Sequence, residues 1–392
     1  MATGTNAGLL DEADPHAQSV FKHELLSAYL EPFMAMTGST ARGRRVVVLD
    51  GFAGRGRYPD GRPASAERIM KAMASLKQTR QLEAFFIERR HTSFAELKTV
   101  VADYQAQGLN VTARQGRVER YLLEVVERAG DAPLFMFLDP CGEGVSFDQL
   151  TQVLTGPRRD PKTEVLLNFS ADLSRRVSGA LLKGLENQNA MDRACGGGWW
   201  REVVRKVREA APGATFEPVL NALAIEYAKR LGEATGMQAV LVPVYRKLGQ
   251  QPIYHLVFFT RSKYGLWVFA DAAARARQAW LRHLARIQDL QEPGTLFTCA
   301  DLMEARIARE ADQALISVTD NLASLLHQLR GYRLVDRTAE VFGQVYGVAT
   351  ESTVREAVDD LVELGFAARA PNGGKSKPRT REITLMRSSR TA

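Results

Sequence analysis

The fold is decided by residues 46–56, which read VVVLDGFAGRG. The run begins with four apolar residues, three of them valines, and such a continuous run is typical of a parallel strand buried on both faces. Asp50 ends the run, and the glycines after it can adopt positive φ angles and let a ligand approach the backbone closely. The stretch therefore predicts a strand whose carboxyl end carries a glycine-rich binding loop.

Similar strands recur along the chain, each separated from the next by a helix-length segment. They are predicted at 84–88, 110–114, 134–139 and 164–169. This alternation predicts a doubly wound α/β sheet. Two later strands, 237–245 and 253–260, are joined by a loop too short for a parallel crossover, so they should pair antiparallel. Five parallel strands closed by an antiparallel hairpin is the arrangement of class I methyltransferases, which is the predicted fold class.

The segments around this sheet define the predicted domain limits. Residues 1–20 show no periodic apolar pattern and are expected to form a flexible tail. The methyltransferase-like domain is predicted over 21–292. It begins with an amphipathic helix and a polar linker at Thr37–Thr40. Its segment 171–213 is longer than a simple connection and is predicted to be a lid or substrate-side insertion.

Residues 295–390 are predicted to form a winged-helix domain. A helix over 335–346, a turn, a second helix and a hairpin follow one another there. The second helix, 351–364, carries five acidic side chains against Arg355, so it is expected to repel phosphates. The hairpin loop is basic, and we expect it to follow a nucleic-acid backbone through Lys375, Lys377, Arg379 and Arg381. The alternative is a solvated basic tail beside a protein-docking module.

The composition is that of a folded protein, with 45% hydrophobic and 25% charged residues among 392. No apolar run approaches the roughly 18 residues that suggest a membrane span, and the start of the chain lacks signal-peptide features. We therefore expect a cytoplasmic protein that contacts no membrane. Three scattered cysteines form neither a metal-ligand spacing nor an even disulfide set, so no metal site is expected.

A nucleotide-like cofactor is predicted at the glycine-rich loop. Glu88 ends the second strand, where a carboxylate can accept hydrogen bonds from ribose hydroxyls. The spacing to Glu88 is longer than usual because 58–66 adds a loop. The alternative is a structural turn followed by an ordinary surface glutamate. The predicted cofactor-binding residues are Asp50, Phe52, Ala53, Gly54, Gly56, Glu88, Gly116 and Asp139.

The fourth strand ends in Asp139, Pro140, Cys141 and Gly142, at the sheet edge where catalytic groups gather. Asp139 is predicted to orient or deprotonate a methyl acceptor. Amino-directed nucleic-acid methyltransferases usually continue Asp-Pro with a second proline and an aromatic residue, which are replaced here. Cys141 could instead be a nucleophile, as in cytosine C5 methyltransferases, or a small semi-buried side chain.

Two adjacent tryptophans, Trp199 and Trp200, allow two interpretations. They could stack a base or close a lid, as aromatic side chains do on single-stranded substrates. They could equally pack the insertion against the sheet, which is the more common role of buried tryptophans.

As a set, these motifs resemble the three-Cys-motif partner protein family of bacteria. The resemblance covers nearly the whole chain, from Lys22, His23 and Tyr29 to the C-terminal domain, and Cys141 stands where the family usually has an aromatic residue. It implies a methyltransferase-like domain followed by a winged helix, and it leaves the substrate unspecified. We expect an S-adenosylmethionine-dependent methyltransferase of unknown acceptor, for which a nucleic acid or a nucleotide is one candidate. It also implies a partner similar to radical enzymes with an iron–sulfur cluster. The alternative is a non-catalytic adaptor that binds nucleic acid or such a partner through the winged helix.

Overall fold

The computed structural model describes most of the chain in five ranges. These are residues 17–140, 144–185, 189–291, 298–371 and 378–388. The chain forms two compact units: Leu30–Arg261 belongs to the first, and Val20–Tyr29 with the chain from Ser262 onward forms the second. The domain limits at 292 and 295 stay a prediction.

The first unit is built on a seven-stranded sheet. Its strands are β1 (Arg45–Asp50), β2 (Gln81–Glu88), β3 (Asn110–Gln115), β4 (Leu134–Leu138), β5 (Thr163–Ser170), β6 (Gln238–Val244) and β7 (Tyr254–Thr260). They lie in the order β3-β2-β1-β4-β5-β7-β6. The first five pair in parallel, while β7 runs antiparallel to both β5 and β6. This order confirms the predicted class I methyltransferase-like sheet.

Helices connect these strands and cover the sheet. They are α2 (Ser65–Leu76), α3 (His91–Ala106), α4 (Val118–Ala129), α5 (Phe147–Thr155), α6 (Ala171–Leu181), α7 (Asn189–Cys195), α8 (Trp199–Ala210) and α9 (Glu217–Thr235). Helix α1 (Ala17–Thr40) precedes β1 and is divided between the two units, because Val20–Tyr29 belongs to the second. In α4, for example, Val118, Leu122 and Val125 recur at helical spacing and are buried in the main core.

The predicted linker at Thr37–Thr40 is wrong, because α1 continues through it. The hydroxyls of its polar residues bond back to the helix itself: Thr37 donates to the Phe33 carbonyl at 2.7 Å and Ser39 donates to the Met36 carbonyl at 2.6 Å. Such bonds satisfy short polar side chains within a helix. Polarity alone was therefore a poor sign of a break here.

Trp200 anchors the predicted insertion in the main core. Its side chain is fully buried, and its indole nitrogen donates to Asp192 Oδ1 at 2.8 Å. Trp199 is only partly buried, and its indole nitrogen donates to the Cys195 carbonyl at 2.8 Å. Trp200 therefore packs the insertion against the core of the sheet, which is one of the two roles predicted for the tryptophan pair.

The second unit combines helices with a small antiparallel sheet. Its elements are α10 (Lys263–Gln291), α11 (Cys299–Gln328), β8 (Gly331–Arg333), α12 (Thr338–Phe342), α13 (Glu351–Glu363), β9 (Ala367–Arg369) and β10 (Thr384–Arg387). The strands lie in the order β8-β10-β9. The predicted helix over 335–346 is wrong in extent: Gly343, at a φ of 47°, ends α12, and short 3-10 turns flank it. The winged-helix assignment stays a prediction.

No helix in the described part of the chain is long and apolar enough to cross a membrane.

Replacing Trp200 should destabilise the protein far more than replacing its neighbour. We expect Trp200→Ala to lower the free energy of unfolding by about 3–5 kcal/mol, because it empties a core site, and Trp199→Ala to cost less than half as much. Urea denaturation followed by far-ultraviolet circular dichroism measures both. Equal costs would show that Trp200 does not anchor the insertion.

Candidate functional site

Asp50 organises the start of the glycine-rich loop. Its carboxylate is fully buried at the end of β1. Oδ1 accepts a hydrogen bond from the Phe52 backbone nitrogen at 3.1 Å, and Oδ2 accepts one from the Ser65 hydroxyl at 2.8 Å. Ser65 is the first residue of α2, so one side chain fixes both ends of the connection between β1 and that helix.

The loop after Asp50 requires glycine at two positions. Gly54 has a φ of 62° and Gly56 a φ of 82°, both in the left-handed region that other residues rarely adopt. A Cβ atom on Gly56 would also lie 3.1 Å from the Leu97 side chain. The Ala53 nitrogen donates to the Ile87 carbonyl at 2.9 Å, which holds the loop against the end of β2.

Glu88 joins the end of β2 to this loop. Its Oε2 accepts a hydrogen bond from the Gly54 backbone nitrogen at 3.0 Å, and its Oε1 accepts one from the Arg90 backbone nitrogen at 2.5 Å. The side chain is buried, with 9% of its surface exposed. The alternative of an ordinary surface glutamate is therefore wrong.

The additional loop at 58–66 is flanked by an ion pair between Arg57 and Glu67, of which only the Glu67 carboxylate is buried. Arg57 donates from Nε and Nη2 to the two carboxylate oxygens of Glu67, at 2.7 Å each, and the Tyr104 hydroxyl donates to the same carboxylate at 3.2 Å. Burial alone would raise the pKa of Glu67, but the hydrogen bonds and charge of Arg57 outweigh it and lower that pKa. Burial and the Glu67 charge raise the pKa of Tyr104 to about 12.

Gly116 brings the end of β3 to the same edge. Its backbone nitrogen donates to the Glu88 carbonyl at 2.9 Å. Its φ is 146°, and a Cβ atom there would lie 2.9 Å from the Tyr121 ring. The Tyr121 hydroxyl donates to the Gln115 carbonyl at 2.8 Å, so the ring is fixed beside the glycine.

Asp139 lies directly after β4, the strand that neighbours β1 in the sheet. Its Oδ1 accepts a hydrogen bond from Asn168 Nδ2 at 2.7 Å. Cys141 and Gly142 lie outside the described residues, so the nucleophile hypothesis stays a prediction. Asn168 was missed in the sequence, where the available signal was one amide side chain within the apolar strand β5.

A small cavity adjoins this pair. It has a volume of about 40 Å³, room for only a few water molecules, and its lining includes Pro140, Asn168, Ser170 and Tyr227. Asn168 Oδ1 is buried and has no hydrogen-bond partner among the described residues. The Asp139–Asn168 pair therefore leaves one acceptor unused at the sheet edge.

The structure thus places the predicted cofactor residues on three adjacent strand ends. Asp50 ends β1 and Glu88 ends β2, Gly116 follows β3, and the residues that follow β1 are Phe52, Ala53, Gly54 and Gly56. Asp139 follows β4, which pairs with β1 on the opposite side from β2. Parallel strands present these ends at one edge, where ligands of doubly wound sheets bind.

The predicted nucleic-acid residues are described only in part. Lys375 and Lys377 lie outside the described residues. Arg379 is exposed, whereas Arg381 is buried and its Nη1 lies 3.4 Å from Glu351 Oε2. Burial lowers the pKa of Arg381. The wing as a nucleic-acid contact stays a prediction.

No family model matches the sequence, and no curated protein matches it. Among solved structures, similar ones include the methyltransferase domain of the bacterial CtHen1-CN, with 13% identity, a TM-score of 0.29 and coverage of 60% of this chain and 99% of that one. Precorrin-6y C5,15-methyltransferase from Geobacter metallireducens has 14% identity, a TM-score of 0.28 and coverage of 59% and 88%. TYW2 from M. jannaschii, in complex with AdoMet, has 12% identity, a TM-score of 0.26 and coverage of 59% and 74%. These likenesses are weak, so the conclusions on fold and function rest on the chain's own sheet order and site residues.

Gly56 and Gly61 offer a matched test of the loop. Both have φ near +82° to +84°, but a Cβ atom on Gly61 would meet open space. We expect Gly61→Ala to cost about 1 kcal/mol of stability for the positive φ, and Gly56→Ala to cost about 1 kcal/mol more for the contact with Leu97. Denaturation curves of the two variants measure the difference, and equal costs would contradict tight packing at Gly56.

Proposed function

We propose that the protein is an S-adenosylmethionine-dependent methyltransferase. The observation that carries the proposal is the hydrogen bond between the Gly54 backbone and the Glu88 carboxylate, which unites the glycine-rich loop and the acidic strand end in one site. A glycine-rich loop after the first strand and an acid after the second form the pair that binds nucleotide-like cofactors in doubly wound sheets.

The residues present fit this cofactor. The Glu88 carboxylate uses two acceptor positions for Gly54 and Arg90, and a carboxylate offers about four, so ribose hydroxyls can still bind to it. Gly54 and Gly56 allow the amino-acid end to lie close to the backbone. When bound, S-adenosylmethionine would supply an electrophilic methyl group.

Asp139 then orients or deprotonates the methyl acceptor, and Asn168 holds the carboxylate in place through its 2.7 Å hydrogen bond. A carboxylate within hydrogen-bond reach of the acceptor can serve as a general base. The carboxylate suits a methyl acceptor that carries N–H or O–H hydrogens.

The acceptor in this proposal is a nucleic acid or a nucleotide, and membership of the three-Cys-motif partner family, with its iron–sulfur partner, belongs to the same proposal. The motifs at 50–56, 86–88 and 138–140 support the family. An adaptor that binds cofactor without transferring a methyl group is the second candidate, favoured by the replacement of the usual motif after Pro140. Labelled methyl transfer into fractionated cell extract separates the two.

Calorimetric titration with S-adenosylhomocysteine tests the cofactor. The intact protein should bind it, and Glu88→Ala should weaken binding by about 1–3 kcal/mol through the loss of ribose hydrogen bonds. Glu127→Ala, which removes an exposed acid from α4, is the control and should leave the affinity unchanged. Circular dichroism checks that both variants fold. Absence of binding by the wild type would refute the proposal.

Neutralising the wing tests its part of the proposal. Changing Lys375, Lys377 and Arg379 to Gln should lower the log–log salt slope of duplex DNA binding by up to about 2.7, because three phosphate contacts are lost. Arg381 is kept because its ion pair with Glu351 serves the fold. Fluorescence anisotropy measures the slope, and a wild-type slope in the variant would favour the protein-docking alternative.

A further inference from the structure

Three exposed arginines lie together beside the candidate site, at the ends of β2 and β3. Arg89 follows β2, while Arg117 and Arg120 follow β3. Glu88 and Gln115 are paired in register, so these residues leave the sheet at adjacent points. We call Arg89, Arg117 and Arg120 the arginine rim.

The arginine rim differs from neighbouring arginines in its partners. Arg55 lies 3.5 Å from Glu96, and Arg114 lies 3.2 Å from Glu124. No rim arginine has an ion pair within the described part of the chain. Two acids are adjacent to rim arginines in sequence. Glu119 adjoins Arg120 and is partly buried, while Glu88 adjoins Arg89 and accepts two backbone hydrogen bonds.

Local stability does not account for the rim. Arg117 is the residue before the first turn of α4 and makes no side-chain capping bond, and Arg120 lies in that first turn. Positive charge near a helix N-terminus opposes the helix dipole and costs about 0.3–1 kcal/mol. Grouping three cations also adds mutual repulsion. A bound anion would offset these costs.

The chemistry of the rim favours phosphate. The guanidinium of Arg120 lies 5.6 Å from the centroid of the Tyr121 ring. An arginine stacked on an aromatic face keeps its N–H donors available along the edge, in the fork geometry that matches phosphate oxygens. The Tyr121 hydroxyl is bonded to the Gln115 carbonyl, so this platform is held in place.

The position of the rim favours a polymer over a small ligand. From β3 to β4 there are three strand steps, or about 14 Å at about 4.8 Å per step. That is about four nucleotides of a stacked strand at 3.4 Å each. A single phosphorylated metabolite at Asp139 would not span this distance, whereas a strand with phosphates at every nucleotide would.

We propose that the arginine rim binds the phosphodiester backbone of a nucleic acid whose target nucleotide lies at Asp139. The choice of a polymer and the location of its target nucleotide rest on the proposed methyltransferase function, because both take Asp139 as the reacting point; the binding of phosphate by the rim does not. The rim belongs to the first unit, so it predicts a nucleic-acid surface beside the proposed cofactor site.

The test compares two triple variants of the full chain. The first changes Arg89, Arg117 and Arg120 to Gln. The control changes Arg42, Arg44 and Arg159 to Gln; these are also exposed and without ion pairs within the described residues, but they lie at the opposite edge of the sheet. Both variants remove the same charge. Fluorescence anisotropy with short labelled RNA, single-stranded DNA and duplex DNA, over a range of salt, measures binding.

The rim variant should lower the log–log salt slope by up to about 2.1 for single strands and about 2.7 for duplex DNA, and weaken binding at low salt by roughly tenfold or more. The control should keep the wild-type slope. The three probes show whether RNA or DNA is preferred. Absence of binding by the wild type, a wild-type slope in the rim variant, or an equal loss in the control would overturn the proposal. Polyglutamate that competes as well as nucleic acid would also overturn it, in favour of an acidic polypeptide.

Titration with S-adenosylhomocysteine keeps this test distinct from that of the proposed function. Both triple variants should bind it with wild-type affinity. Rim-dependent nucleic-acid binding without cofactor binding would refute the methyltransferase and leave the rim standing. If the protein binds S-adenosylhomocysteine but the rim variant binds nucleic acid as the wild type does, the rim proposal is refuted and the proposed methyltransferase stands.

Discussion

The Asp50 carboxyl group is fully buried at the end of the central strand, and a buried polar group is costly unless hydrogen bonds replace its lost hydration. The Phe52 nitrogen and the Ser65 hydroxyl supply those bonds. Satisfying this one group therefore fixes the direction in which the chain leaves β1 and the point where α2 begins. Glu88 acts on the same loop from β2, through the Gly54 nitrogen. The geometry of the site follows from two buried acids whose oxygens must be hydrogen-bonded.

The sheet was predictable because its strands are buried on both faces, which leaves continuous apolar runs such as 46–49. Elements without that constraint were predicted less well. The end of α1 was missed because its hydroxyls bond back to the helix, and the break at Gly343 depends on a backbone angle that no periodicity reveals. The three-residue strand β8 exists only through its pairing with β10, a contact between distant parts of the chain.

The residues of the candidate site also differ in how well the sequence predicted them. Glu88 was predicted because its position depends on its own strand and on the parallel sheet. Asn168 was missed because its role depends on register: Leu138 pairs with Leu167, which brings the next residues of β4 and β5, Asp139 and Asn168, side by side. Register between neighbouring strands is set by the whole core, so a single sequence does not display it. The signal that remained was the Asn168 amide, at a buried position where an apolar side chain would cost less free energy of desolvation.

Arginine serves two purposes in the first unit, and the distance to an acid decides between them. Buried carboxylates take the structural role: Glu83 lies 2.6 Å from Arg45 and 2.8 Å from Arg128, and Glu67 is paired with Arg57. These arginines compensate charges that burial would otherwise make costly. An exposed arginine without such a partner contributes little to stability, and near a helix N-terminus it reduces it. Arg89, Arg117 and Arg120 gather at the edge that also carries the predicted cofactor residues, where a bound anion would offset their free-energy cost.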